Sequence, residues 1–129
     1  MKPDPHNLGE RRFLELIDTA SHPTWITDST GYCTYLNEAW YRITGQQPGE
    51  GEGFGWLNAL HPDDRAEVEA DFCESSRMEA FYCIEYRLKV ASGGYRWHMD
   101  MATPRFDDGG NFLGYVGNVI DIHDRRLTE

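Results

Sequence analysis

Residues 82–122, YCIEYRLKVASGGYRWHMDMATPRFDDGGNFLGYVGNVIDI, predict three consecutive β-strands. In the first run, YCIEYRLKV, the side chains Tyr, Ile, Tyr, Leu and Val alternate with Cys, Glu, Arg and Lys. Successive side chains of a strand point to opposite faces, so this period of two is typical of a half-buried strand. The sequences ASGG (91–94) and DDGG (107–110) supply the two turns. Three antiparallel strands in a row form a meander, which needs other elements to cover one of its faces.

The composition predicts one soluble, acidic, cytoplasmic domain. A chain of 129 residues with 40% hydrophobic residues has enough apolar side chains for one core. Its formal net charge of −10 argues against binding to nucleic acid or to an anionic membrane surface. No apolar run approaches the ~20 residues that span a bilayer, and the first residues do not lead into a signal peptide. Cys33, Cys73 and Cys83 lack the spacing of a disulfide framework, which favours a reducing compartment.

The other residues predict helices and a hairpin around the meander, which makes an α+β domain. Phe13, Leu16, Ile17 and Ala20 form one apolar stripe at helical spacing. The predicted order is a flexible tail (1–7), an N-terminal amphipathic helix (8–20), a hairpin (24–36), a helical crossover (37–76) and the meander (80–122), followed by residues 123–129 as the start of a linker.

Capping patterns predict two helix starts in the crossover. Asn37 is suited to cap a short helix that Gly45 ends. A second helix is predicted to begin at His61-Pro62, where Asp64 and Glu67 have the spacing of a capping box. The proline and carboxylates of HPDDR are typical of a helix start, and this interpretation is preferred to a metal site.

Three stretches of the chain together resemble a PAS domain of the type common in bacterial sensory signalling proteins. They are TDSTGYCTYLNEAWYRITG (27–45), GWLNALHPDDR (55–65) and EYRLKVASGGYRWHMDMATPRFDDGGNFLGYVGNVIDIHDR (85–125). The resemblance implies a single PAS domain over residues 8–126. Its fold would be a five-stranded antiparallel sheet in the order 2-1-5-4-3 with short helices over one face.

The resemblance also selects the face of the second meander strand that points inward. Hydrophobicity alone would turn Trp97, Met99 and Met101 toward the core. Position by position, flavin-binding relatives instead match His98 and Asp100 to ligand-facing residues. The candidate ligand-binding residues from this comparison are Leu88, His98, Asp100, Ala102, Tyr115, Gly117 and Val119. Tyr86, a possible partner of the two polar residues, is added to this set.

The opposite face of the sheet then carries an apolar patch that needs a cover. It consists of Trp97, Met99, Met101, Val116 and Ile120. The N-terminal helix, with Phe13 and Ile17, is predicted to cover it, either from the same chain or from a partner. The resemblance implies a homodimer through that helix and this sheet face.

His98 and Asp100 leave several functions open. Unpaired buried polar groups cost about 1–3 kcal/mol each, so both need partners. They could recognise a polar ligand, His98 could bind a metal or haem iron, or they could bond to each other, to Tyr86 or Tyr115, or to backbone. A rival hypothesis makes the chain a small α+β enzyme with His98 and Asp100 as an acid/base pair. In a third, the chain is a ligand-free dimerisation module.

The resemblance leaves the cofactor unknown and argues against two groups. Light-sensing relatives carry their reactive cysteine in an Asn-Cys-Arg-Phe-Leu-Gln motif, whereas this chain has FGWLNALHPDDR in that region. Haem-binding relatives place an axial histidine on the helix that corresponds to residues 64–76, which contain none. Neither a flavin photoadduct nor haem is therefore predicted, and no metal site is predicted.

The end of the chain is predicted to lead to an effector. Asp121-Ile122-His123 stands where the family carries an Asp-Ile-Thr ending, at the exit from the last strand. Asp121 or Asp124 is suited to cap an output helix, and Asp121 and His123 are the candidate relay residues. We expect the chain to be a piece of a larger receptor with a histidine kinase or a cyclic-dinucleotide enzyme downstream. The predicted function is that of a sensor module without catalytic activity of its own.

Overall fold

A computed structural model of the chain describes residues 12, 14–16, 18 and 20–128. Its elements, in chain order, are β1 (Thr24–Thr27), β2 (Cys33–Leu36), α1 (Glu38–Thr44), a 3-10 helix (Gly55–Ala59), α2 (Pro62–Arg77), β3 (Tyr82–Lys89), β4 (Tyr95–Phe106), β5 (Phe112–Asp121) and α3 (His123–Thr128). The predicted α+β class is confirmed.

The five strands form one antiparallel sheet in the order β2-β1-β5-β4-β3. This is the order that the resemblance implied. The long central strand β4 pairs with β3 on one side and with β5 on the other. In these ladders Asp100 lies opposite Ile84 and Val119, and His98 lies opposite Tyr86 and Asp121. The middle of β4 is therefore the centre of the three-stranded meander.

Helix α1 begins and ends as its sequence predicts. The Asn37 side chain accepts a hydrogen bond from the backbone N–H of Trp40 at 3.2 Å. Gly45 ends the helix with a φ of 79°, in the left-handed region that glycine adopts without strain.

The predicted capping box at the start of α2 is wrong. His61 caps the helix, because its Nδ1 accepts a hydrogen bond from the N–H of Asp63 at 3.1 Å. The Asp64 carboxylate instead accepts bonds from the backbone N–H and the guanidinium of Arg87, at 2.8 and 2.7 Å. A charge-assisted bond to a guanidinium is stronger than a neutral cap, so Asp64 ties α2 to β3.

The core lies between the crossover helices and one face of the sheet. The crossover contributes large buried side chains, of which Trp40, Leu60 and Phe72 are at most 4% exposed. The sheet contributes Trp25, Tyr82, Tyr86, Leu88, Ala102, Tyr115 and Val119. The burial of these apolar side chains is the main contribution to the stability of the domain.

The described part of the N-terminal segment is helical at residues 12, 14–16 and 18. The Asp18 carboxylate accepts hydrogen bonds from the Tyr35 hydroxyl and from the backbone N–H of Glu38, which places this helix beside β2 and α1. The tail at 1–7 and the predicted helix positions Phe13 and Ile17 lie outside the described residues. None of the helices that the structure describes is both long and apolar enough to cross a membrane.

Candidate functional site

The Asp100 carboxylate is the polar centre of the inner sheet face. Asp100 is 4% exposed, because strand alternation turns its side chain toward the core. One carboxylate oxygen accepts a hydrogen bond from Trp25 Nε1 at 2.9 Å, and the other accepts one from the Tyr86 hydroxyl at 2.8 Å. Burial raises the pKa of Asp100 to about 7, against the lowering effect of the bonds from Tyr86 and Trp25.

A glycine on β5 allows Trp25 to reach Asp100. Trp25 on β1 pairs directly with Gly117. A Cβ atom at position 117 would lie only 2.1 Å from the Trp25 indole ring. Because glycine has no side chain, the indole can lie across β5 and extend its N–H to Asp100 on β4. The first and fourth strands are thereby joined through a side-chain hydrogen bond over the strand between them.

A small cavity adjoins the Asp100 carboxylate, between the sheet and the crossover. Its volume is about 20 Å³, which is room for one water molecule or a group of similar size. Flavin and haem need pockets of several hundred Å³, so neither fits among these side chains as they stand. The lining residues are Trp25, Thr27, Cys33, Leu36, Trp40, Trp56, Phe72, Tyr82, Tyr86 and Asp100.

Phe72 of α2 is the central ring of the aromatic cluster around this cavity. Its centroid lies 6.0 Å from those of Trp25 and Trp56, and 5.8 Å from those of Tyr82 and Tyr115. The contacts with Trp25, Trp56 and Tyr82 are close to edge-to-face, an arrangement that aromatic quadrupoles favour. Phe72 and Trp56 belong to the crossover, so they form the wall of the cavity opposite the sheet.

Tyr82 brings a second polar group to the cavity. Its hydroxyl is buried and has no hydrogen-bond partner among the described residues. Such a group loses its hydrogen bonds to water without replacement, at a cost of about 1–3 kcal/mol. A molecule in the cavity could supply the missing partner, since Tyr82 lines the same space as Asp100.

His98 faces a different space from Asp100. Its Nδ1 lies 2.9 Å from the carbonyl oxygen of Arg96, and its Nε2 lies 3.9 Å from an Asp121 oxygen. The residue is buried beneath an open surface groove of about 480 Å³ that Arg96, Val119 and Asp121 also line. Burial lowers the pKa of His98. His98 and Asp100 therefore have separate partners and do not form a hydrogen-bonded acid/base pair.

The other candidate ligand-binding residues lie on the inner face but away from this cavity. Leu88, Ala102 and Val119 are fully buried core residues. The Tyr115 hydroxyl lies 2.9 Å from the Ser75 carbonyl oxygen and also bonds the Ala80 carbonyl, and Gly117 lies under the Trp25 ring. Of the candidate set, the structure brings only Tyr86 and Asp100 to the cavity.

Sequence reasoning missed the contribution of the first hairpin to this site. Trp25, Thr27, Cys33 and Leu36 line the cavity from β1 and β2. Alternation puts Trp25 and Thr27 on one face of β1. Cys33 and Leu36 are three residues apart, so they share that face only because the β1–β2 register shifts between Ile26 and Thr27. The longer alternating runs lie in the meander, and the predicted site therefore included meander residues alone.

The carboxyl end of β5 joins helix α3 to the sheet. Asp121 accepts a hydrogen bond from the N–H of His123 at 2.9 Å and one from Arg96 Nε at 2.7 Å. Burial alone would raise the pKa of Asp121. The hydrogen bonds from Arg96 and His123 outweigh this effect and lower that pKa. His123 Nδ1 in turn accepts the backbone N–H of Trp97 at 3.2 Å. Both predicted relay residues thus connect α3 to β4.

Helix α3 also covers part of the predicted outer patch. The Arg126 guanidinium lies 3.7 Å from the centroid of the Trp97 ring and forms an ion pair with Glu85 of β3. Met99, Met101 and Val116 are half-buried on the same outer face, and Ile120 is 41% exposed.

Within the part of the chain that the structure describes, no three His, Cys, Asp or Glu side chains gather as a metal site.

Comparison with known proteins identifies the family to which this fold belongs. A family model described as PAS fold matches residues 34–119, more than half of the chain. The chain therefore belongs to the PAS family. Parts of several histidine kinases are similar to it in sequence.

Two curated relatives are much longer than this chain. The uncharacterised protein y4lL of Sinorhizobium fredii is 42% identical over 120 residues, 93% of this chain and 14% of that protein. The peroxide stress-activated histidine kinase mak1 of Schizosaccharomyces pombe is 30% identical over 73 residues, 57% of this chain and 4% of that protein. The chain thus spans a small part of the curated relatives that it matches.

Two solved structures resemble most of the chain. A sensory box histidine kinase/response regulator from Burkholderia thailandensis is 27% identical with a TM-score of 0.64, covering 91% of this chain and 88% of that one. The N-terminal domain of a diguanylate cyclase with PAS/PAC sensor from Marinobacter aquaeolei is 22% identical with a TM-score of 0.70. It covers 81% of this chain and 97% of that chain, and at this identity it shows the fold alone.

Proposed function

We propose that this chain is the input module of a signalling protein, in which a small molecule in the Asp100 cavity changes the docking of helix α3. The observation that supports this most is the Asp100 carboxylate itself. It is buried in an aromatic cluster, bonded only to neutral donors, and adjacent to a cavity. A purely structural core would be more stable with an apolar side chain there, because burial of a carboxylate costs free energy.

Strand β4, which carries Asp100, also contacts the start of helix α3. Asp100 and His98 are alternate inward residues of β4, and His98 lies opposite Asp121 in the β4–β5 ladder. Arg96 and Trp97 of the same strand hold Asp121 and His123. A shift of β4 relative to β5 would therefore alter the first turn of α3. An occupant drives such a shift only if it binds the two arrangements unequally.

The module is proposed to be cytoplasmic and to act as a homodimer joined to a kinase or cyclase effector. Ile120, Met99, Met101 and Val116 leave apolar area on the outer face beside Trp97. The described part of the N-terminal helix lies beside β2 at Tyr35, at the edge of the sheet. A partner chain that adds its own helix and sheet face would bury this apolar area.

The small volume of the cavity favours a second candidate function. A space of about 20 Å³ holds a single water, as in a domain whose core is complete without a ligand. In that case the chain is a ligand-free dimerisation module. An enzymatic function has less support, since His98 and Asp100 bond to different partners and face different spaces.

Native mass spectrometry combined with hydrogen exchange separates these functions. Freshly purified chain is weighed under native conditions, then unfolded in urea, dialysed and refolded to strip any occupant. We expect an added mass in the first sample and different exchange of the α3 amides after stripping. A mass equal to the bare chain would favour the dimerisation module. An occupant that leaves α3 exchange unchanged would contradict the proposed relay.

A further inference from the structure

The cavity beside Asp100 is lined mainly by aromatic residues around one carboxylate. Six of its lining residues are aromatic, namely Trp25, Trp40, Trp56, Phe72, Tyr82 and Tyr86. Asp100 is the acidic residue among those that line it, and none of the described lining residues is lysine, arginine or histidine. A carboxylate carries negative charge and the faces of aromatic rings carry partial negative charge, so a site of this composition favours a positive occupant.

The groups packed against Asp100 supply hydrogen bonds but no positive charge. Trp25 and Tyr86 donate one bond to each oxygen. Tyr82 and Tyr86 from β3 and Cys33 from β2 are the titratable groups that face it. Burial raises the pKa of all three, to about 12 for Cys33, so they are uncharged at neutral pH. A buried carboxylate without a counter-charge costs several kcal/mol, which a bound cation would offset.

Phe72 packs edge-to-face against three of the other aromatic rings that line the cavity. The Phe72 centroid lies 6.0 Å from Trp25 and from Trp56, and 5.8 Å from Tyr82. Cation–π attraction acts on a cation over a ring face within about 6 Å of the centroid, so here it comes from those ring faces that border the cavity. The free Tyr82 hydroxyl, in the same cavity, is able to accept an N–H from an ammonium group.

We propose that this cavity binds a small organic ammonium ion, with the Asp100 carboxylate as its counter-ion and the surrounding rings as its cage. The proposal rests on the sensory function proposed above and names the class of its ligand. A volume of about 20 Å³ admits one ammonium group. Any carbon substituent on that group, the methyl of methylammonium included, requires Trp56 and Phe72 to move outward. Trp56 is half-buried and lies on the short 3-10 helix.

The test compares ligands that differ in charge and little in shape. Methylammonium chloride is titrated into ¹⁵N-labelled chain while the indole N–H signals are recorded, with methanol as the neutral analogue and formate as the anionic one. Sodium chloride at equal ionic strength is the salt control. The Trp25 indole reports on the site directly, because its N–H donates to Asp100. We expect saturable shifts with methylammonium and at least tenfold weaker binding of methanol.

Two further comparisons separate charge recognition from general packing. Asp100→Asn keeps the shape and removes the charge, and we expect it to weaken methylammonium binding at least tenfold. Asp108→Asn, in the exposed β4–β5 turn, is the matched control and should bind as the parent does. In the parent, affinity should fall about tenfold for each pH unit below 7, since the cation competes with the proton on Asp100. This pH series requires no variant, so it remains decisive if Asp100→Asn is unstable.

Three results would overturn the proposal: equal binding of methanol and methylammonium, unchanged binding by Asp100→Asn, or no saturable binding. An apolar or anionic occupant found by native mass spectrometry would also overturn it. That result would leave the sensory function intact, so the failure of the ligand class is distinguishable from the failure of the function.

Discussion

The Asp100 carboxyl gives a pH signature that can be measured without any ligand. Its folded-state pKa of about 7 lies above the value of about 3.9 expected in the unfolded chain. Between these two values the native state holds a proton that the unfolded state has lost. The stabilising contribution of the protonated form is therefore complete below pH 4 and is lost as the pH rises through 7.

We predict that Asp100→Asn gains stability relative to the parent between pH 5 and pH 8, by about 2–3 kcal/mol. The asparagine cannot ionise, so it lacks the cost that the parent acquires on deprotonation. Urea unfolding of both proteins at each pH measures the difference. His98 and other groups titrate alike in both proteins and largely cancel. Asp108→Asn is the control, and stability curves for Asp100→Asn that run parallel to the parent at all pH values would contradict the assignment.

Gly117 provides a second test at the residue scale. A Cβ atom there would lie 2.1 Å from the Trp25 ring, so Gly117→Ala must displace the indole from Asp100. We expect a loss of about 1–3 kcal/mol in the free energy of unfolding and a changed Trp25 indole signal. Gly109→Ala, in an exposed turn without a positive φ, is the matched control and should cost much less. Equal losses at the two sites would show that Trp25 does not depend on Gly117.

At the scale of elements, helix α3 is held to the sheet by few contacts. Asp121 and His123 fix its first turn, and Arg126 holds its last turn on the Trp97 ring and Glu85. None of its residues is buried. Elements with few buried apolar contacts open most readily, and this is the property that an output helix requires.

We predict that Arg126→Ala increases hydrogen exchange of the α3 amides while lowering global stability by at most about 1 kcal/mol. The substitution removes the cation–π contact with Trp97 and the ion pair with Glu85, and it leaves the core unchanged. Leu127→Ala, at a 69% exposed position of the same helix, is the control for helix propensity. If both variants exchange alike, Arg126 does not hold the helix.

At the level of the whole molecule, the outer sheet face is the proposed contact with a partner chain. Ile120 is 41% exposed beside half-buried methionines on that face. We predict that Ile120→Lys weakens the homodimer at least tenfold, because it places a charge in an apolar interface. Sedimentation equilibrium measures the dissociation constant. Met78→Lys, at a 61% exposed position at the end of α2, is the control. A monomer in the parent, or equal effects of both variants, would contradict the proposed interface.

The sequence predicts the strands, their order and most helix ends, because each of these depends on local periodicity or on the family pattern. Asn37 and Gly45 act as expected for this reason. The wrong capping box at Asp64 has a long-range cause, since Arg87, 23 residues away, binds that carboxylate more strongly. No periodicity could show this.

The candidate site was harder to predict than the fold. The inward face of β4 required the family comparison, because Trp97 and the methionines are more apolar than His98 and Asp100. Trp25 and Asp100 are 75 residues apart, and their contact depends on the gap at Gly117 between them. A contact of this kind follows from packing in three dimensions and leaves no pattern in the chain.

The central claim is that the Asp100 cavity communicates with helix α3. The most direct test records the Trp25 indole and the α3 amides in the same NMR titration with methylammonium. We predict that both sets of signals shift with one midpoint in the parent, and that neither shifts at that concentration in Asp100→Asn. A Trp25 signal that saturates while the α3 amides stay still would contradict the relay, and a Trp25 signal that never moves would contradict the site.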